Sequence, residues 1–179
     1  MTSEQIEPGH WRLGFTEPET EFVLSTLARL ARQYQDDPGK MPPALRAYWQ
    51  GIISSKPGEP SAEVRELQDD LAEARTELRS ERLALIENWM REFELAEERE
   101  PWHVELTTTE RDEFIAMLND RRMALALELS ITEEDMEADL AQIPNDGRRA
   151  AILEIDVLGH FILVMLGPQI YRGQSPQFR

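Results

Sequence analysis

One pattern occurs twice in this chain and restricts what it can become. Trp11, Leu13 and Phe15 alternate with Arg12 and Gly14 at period two, which gives a short strand one apolar face. Thr16 follows as a helix N-cap, Glu19 stands three residues on as its capping-box partner, and Pro18 falls in the first turn, where a missing N–H costs little. Ninety-one residues later, without a gap, Trp102, Val104 and Leu106 repeat the alternation. Thr107 then matches Thr16, Glu110 matches Glu19, and Phe114, Ile115 and Leu118 fall on the positions of Val23, Leu24 and Leu27. Short amphipathic strands entering capped helices are common, so chance competes with a true repeat. A strand–helix unit used twice predicts that the two strands pair and lie on helices, because a bare two-stranded ribbon is marginal in water. That pairing is expected to bring Trp11 and Trp102 into one region of the core.

The remaining elements are helical. The first helix reads from about Glu17 to Gln35, burying Val23, Leu24, Leu27, Leu30, Ala31 and Tyr34, and Asp37-Pro38-Gly39 stops it. A short helix from Pro42 to about Ser54 carries Leu45, Tyr48, Trp49, Ile52 and Ile53, ahead of a loop at Lys56-Pro57-Gly58-Glu59-Pro60. Ser61 caps a long helix to about Glu98. Its first half has a narrow heptad seam of Val64, Leu67, Leu71, Ala74 and Leu78, the mark of a projecting arm over about 61–80. Its second half has the broader face of a core helix, through Leu85, Ile86, Trp89, Met90 and Phe93. The second unit's helix runs from Thr108 to about Leu129, Thr132 caps a short acidic helix to about Ala141, and Asn145 or Asp146 caps a last helix from Gly147 to Leu166, ending at Gly167-Pro168. The apolar run from Ala150 to Leu166 is seventeen residues long and holds Glu154, Asp156 and His160. A bilayer needs about twenty apolar residues and each mid-helix acid costs about 2.5–3.5 kcal/mol, so this reads as a core helix and not a membrane span. The expected fold is α+β and mostly α: a bundle of about five to six helices, one of them long, with a small two-stranded β-ribbon. It is read as a single domain over 1–179 with loose termini at 1–9 and 171–179.

Composition narrows the partners. The 179 residues, 41% hydrophobic, suffice for one folded core. Nineteen Lys and Arg stand against thirty-five Asp and Glu, a net charge of −16, which repels nucleic-acid phosphates and anionic lipid alike. Residues 61–100 hold thirteen acids and six bases, and 128–139 hold six acids and no base, so the charge concentrates on particular helices. A basic protein surface is the partner they suit, although solvated helix faces are the ordinary explanation of such runs. The absence of cysteine removes disulfides, thiol catalysis and cysteine-ligated metal centres, and fits a reducing cytoplasm. MTSEQIEPGHW has neither a basic nor an apolar leader segment, so no secretory signal is expected.

Chemistry is sparse. The chain carries no glycine-rich phosphate loop, HExxH, GxSxG or EF-hand loop, and it has three histidines. Asp156 and His160 are four residues apart on one face of the last helix, with Glu154 displaced around the axis. With a third polar group they could ligate a metal or act as an acid–base pair; otherwise they are polar groups satisfied within a core. Asn119, Asp120, Arg121 and Arg122 form the other cluster. An inward Asp120 or Arg122 would pair with Asp156, Glu154 or His160 and dock two helices, or the arginines would bind a carboxylate or phosphate. The candidate binding set is therefore Asn119, Asp120, Arg122, Glu154, Asp156 and His160, with no catalytic residue assigned and no cofactor expected. The leading reading is a regulatory or protein-interaction domain. A metal-dependent enzyme or metal-binding module using Asp156 and His160 is the alternative. The seam of the arm calls for cover, either from a second copy in a homodimer or from the 42–54 helix folding back.

Residues Leu118-Asn119-Asp120-Arg121-Arg122-Met123-Ala124-Leu125, after the Leu106-Thr107 strand-to-helix junction, resemble the signature of an uncharacterised bacterial family, domain of unknown function 2017. Asp156-Val157-Leu158-Gly159-His160-Phe161 resembles the matching part of that family's last helix. The resemblance covers the second half of the chain best and implies a mostly helical domain of similar length. It further implies a gene near that of the ClpS proteolytic adaptor in actinobacteria, hence a link to regulation of proteolysis, and it assigns no active site.

Overall fold

Thr16 and Thr107 each turn a strand into a helix. In the computed structural model, which describes residues 1–50, 61–95 and 102–170, β2 (His10–Phe15) leads into α1 (Glu17–Gln35) and β3 (Trp102–Thr107) into α4 (Thr108–Leu129). Glu110 Oε2 accepts from the Thr107 backbone N–H at 2.8 Å while the Thr107 hydroxyl accepts from Glu110 N–H at 3.2 Å, a complete capping box. Glu19 Oε2 accepts from Thr16 N–H at 2.9 Å in the same way. The other elements are β1 (Thr2–Glu7), α2 (Pro43–Gln50), α3 (Ala62–Leu95), α5 (Glu133–Glu137) and α6 (Asp146–Ile170). The fold is α+β and mostly α, with six helices and a three-stranded antiparallel sheet among the described residues.

The sheet order is β1-β2-β3. β2 and β3 pair as the repeat requires, with Trp11 opposite Leu106, Leu13 opposite Val104 and Phe15 opposite Trp102. Because the pairing is antiparallel, Trp11 and Trp102 stand at opposite ends of the ribbon, which corrects the expectation that they share one region. β1 adds a third strand to the expected two. It is a polar edge strand, TSEQIE, whose burial has no alternating apolar face to betray it. Pro8-Gly9 closes the β1–β2 turn with Gly9 at φ +84°, a conformation that favours glycine. Gly14 allows the two strands to approach: a Cβ there would meet Thr2 Oγ1 at 2.7 Å.

The described chain gathers into two compact units, Met1–Thr26 with Leu95–Arg179, and Leu27–Glu94. In the first, α4 packs on α6, and the apolar face of the sheet, Trp11, Leu13, Phe15 and Leu106, is buried. Leu125, Ala151 and Ile155 form a further cluster, with Ile131 and Met136 against it. Arg148 ties α4 to α5, donating to the carbonyls of Leu129 and Ser130 at 3.1 and 3.0 Å and to Asp135 Oδ2 at 2.5 Å. In the second unit, Leu45 and Trp49 of α2 and Ile86, Trp89 and Phe93 of α3 are buried. Arg79 of α3 donates to the carbonyls of Gln33, Tyr34 and Asp36 at 3.1, 2.6 and 2.5 Å, closing the C-terminal end of α1. Its guanidinium lies 5.5 Å from the Trp49 ring, which meets Tyr34 edge-on.

Several boundaries differ from expectation. α6 does not stop at Gly167-Pro168 but runs to Ile170, since a proline in the last turn removes only one ladder bond. The acidic helix after Thr132 ends at Glu137, and a 3₁₀ turn, Leu140–Gln142, capped by Asp139, replaces its expected last turn. The expected Lys56–Pro60 loop, Ile52, Ile53, the end of the long helix beyond Leu95 and the tail 171–179 lie outside the described residues.

Candidate functional site

The expected polar cluster divides into a sealed seam and an exposed rim. α4 is buried over half its circumference, including Asp120, 4% exposed, and Arg121, 9% exposed. Arg121 Nε donates to Glu154 Oε1 of α6 at 2.7 Å, and both side chains are 11% exposed. Arg122 lies along α6 as well: a Cβ on Gly159 would meet its Cζ at 3.5 Å, ordinary contact distance. These groups dock α4 on α6, which is the structural role expected for an inward member of the cluster. The residue that forms the pair, however, is Arg121, which the candidate set omitted. Its position in the repeat was the available signal, because the equivalent residue of α1 is the buried Leu30.

Asp156 and His160 take the other side of α6 and are exposed, as is Asn119 on α4. Asp156 and His160, but not Asn119, line an open pocket of about 550 Å³ together with Pro18, Glu19, Phe22, Val157 and Phe161. Its wall is aromatic: Phe161 meets Phe22 edge-on at 5.8 Å and Phe15 at 6.2 Å. Glu19 brings a second carboxylate, although it also caps Thr16 and accepts from the Met1 amino group. Burial works to raise the Glu19 pKa, but these hydrogen bonds outweigh it and hold the carboxyl below its ordinary value. Neither Asp120 nor Arg122 lines this pocket; the two clusters named in the sequence meet through Arg121 and Glu154, away from it. Among the described residues no three of His, Asp and Glu are grouped to hold a metal ion, and the Asp156/His160 metal reading gains no geometric support.

Sequence reasoning also missed Arg111. This side chain is fully buried on α4, its Cζ 4.0 Å from the centre of the Trp11 ring, and it donates to the Met165 carbonyl of α6. Asp112, 3.5 Å away, is 63% exposed and screens it little. Burial pushes the Arg111 pKa below the ordinary guanidinium value, and its Nε has no hydrogen-bond partner. The group is a packing element and a helix-end donor, with no opening through which a ligand is shown to reach it.

No protein-family model, curated protein or solved structure matches this chain.

Proposed function

We propose that the protein is a non-catalytic interaction module that binds a basic protein surface through the first half of α3. One observation carries this reading: from Ala62 to Leu78, more than four turns of helix, no side chain is buried. This stretch holds Glu63, Glu66, Asp69, Asp70, Glu73 and Glu77 against Arg65 and Arg75. Its seam of Val64, Leu71 and Leu78 is half-buried and Leu67 is 49% exposed, an apolar line inside an acidic surface.

Burial sharpens the charge argument. Arg79, Arg82, Arg111 and Arg121 are buried, whereas Asp120 is the buried acid among the described residues. Among the described residues the solvent-facing surface is thus more acidic than their composition indicates, which favours encounter with basic partners and opposes nucleic acid. The resemblance of residues 118–125 and 156–161 to the family above directs this reading towards control of proteolysis, in a cytoplasmic setting.

Affinity capture from a native lysate, comparing the wild-type chain with a Leu67→Ser/Leu71→Ser variant of unchanged circular dichroism, tests it. The expected result is a partner of high isoelectric point, retained by the wild type, released by salt and lost from the variant. Identical recovery by both proteins, or none by either, counts against the arm as the binding element.

A further inference from the structure

We infer that α6 is the interface of a two-fold homodimer in which it packs antiparallel against α6 of a second copy, with the dyad at the turn of Leu158. The helix has a mean hydropathy of 1.9 over its most apolar eighteen residues, yet 33% of that stretch is buried. The buried residues, Ala151, Ile152, Ile155, Leu158, Phe161 and Met165, form one face. The opposite face presents Leu153, 49% exposed, Val157, 38%, and Leu163, 63%, with Asp156 and His160 between them. At 100° per residue these five side chains span one continuous face, so the apolar surface is a stripe and not a scatter.

The order of residues on the stripe identifies the occupant. An antiparallel copy centred on Leu158 sets Leu153 opposite the second copy's Leu163, and Asp156 opposite the second copy's His160, each contact made twice. A two-fold interface must be complementary to itself in this way. Both apolar ends and both polar groups meet their counterparts in one register, so the Asp156 carboxylate faces the second copy's imidazole. The open pocket of Phe22 and Phe161 adjoins the same turn, so the second copy's helix also shields its apolar wall. A lipid surface would leave Asp156 unpaired at the middle of the contact, and the net charge of −16 opposes approach to anionic headgroups. The stripe residues are all on α6 and none is on α3, so separate variants test this proposal and the one above.

The chain has no cysteine, so site-specific oxidation is clean. Leu153→Cys and Leu163→Cys full-length proteins, mixed and oxidised, are expected to cross-link to each other. Neither should do so alone, because identical positions lie ten residues apart along the pair, about 15 Å. Sedimentation is expected to show a wild-type dimer at tens of micromolar that weakens at least tenfold in Leu163→Glu. Asp156→Lys should weaken it similarly, and Asp156→Lys/His160→Glu should restore it. A wild-type monomer, a dimer indifferent to Leu163→Glu, or self-cross-linking of Leu153→Cys overturns the proposal. So does partition of a monomer onto phosphatidylcholine vesicles.

Discussion

Leu13 and Val104 face each other across the β2–β3 pairing, and they are also equivalent positions of the two strand–helix units. Trp11 correspondingly faces Leu106, the equivalent of Phe15. A repeat whose strands pair in this register has a local two-fold axis between Leu13 and Val104. The helices carry the equivalence further. Val23 and Phe114, Thr26 and Met117, Leu27 and Leu118, Leu30 and Arg121, Gln33 and Ala124, and Tyr34 and Leu125 are buried pair by pair.

The pair Leu30 and Arg121 gives the first prediction. Glu154→Leu removes the carboxylate that Arg121 holds in a nearly sealed seam, and Arg121→Leu removes that guanidinium from Glu154, so each is expected to cost about 3 kcal/mol in chemical denaturation. The double variant restores to α4 the residue type that α1 carries and should recover most of that loss. Additive losses would show that the pair is not what holds the seam.

Arg111 separates packing from charge. Arg111→Ala removes a fully buried side chain from the face of Trp11 and is expected to cost about 3 kcal/mol. Arg111→Met keeps most of the volume and removes a poorly compensated cation, so it should fall within about 1.5 kcal/mol of wild type by thermal unfolding.

Arg79 closes the end of α1 with three carbonyls, a task that its flat guanidinium suits and a lysine does not. Arg79→Lys should cost about 2 kcal/mol. Amide exchange checks the location, with faster exchange expected in the last turn of α1 and around Trp49.

Much of this was legible beforehand because local chemistry and tertiary structure agree. The capping boxes at Thr16 and Thr107 marked α1 and α4, and period two marked β2 and β3. β1 escaped notice because an edge strand of Thr, Ser, Glu and Gln buries little and has no apolar period; its clue was Pro8-Gly9. Asp156 and His160 were correctly placed on one face, but not on the outer one. In a helix apolar all round, polar residues look like buried exceptions, whereas here they mark the side turned to solvent. Arg121 was hidden by its charge, since burial of a cation depends on an anion thirty-three residues away.

Acid unfolding gives the last prediction. The hydrogen bond from Arg148, then those from Thr132, lower the Asp135 pKa from 3.8 to about 2. A depressed carboxylate contributes stability that is fully present above its unfolded value and is lost as pH falls through its folded one, so the relevant window is about pH 4 to 2. Asp135→Asn should lower the melting temperature at neutral pH and flatten its decline across that window. A parallel decline in both proteins would show that Asp135 is not linked to folding.

The local axis at Leu13 and Val104 also constrains the order of folding. Each residue of β3 joins a partner roughly ninety positions earlier, whereas β1 and β2 are joined by a two-residue turn. The hairpin can close within microseconds, but the third strand must wait for the whole intervening helical segment to be gathered, a high-contact-order step. On the ribosome β2 therefore spends seconds with one backbone edge unpaired and the apolar face of Trp11, Leu13 and Phe15 uncovered, which opens it to mispairing with another nascent chain.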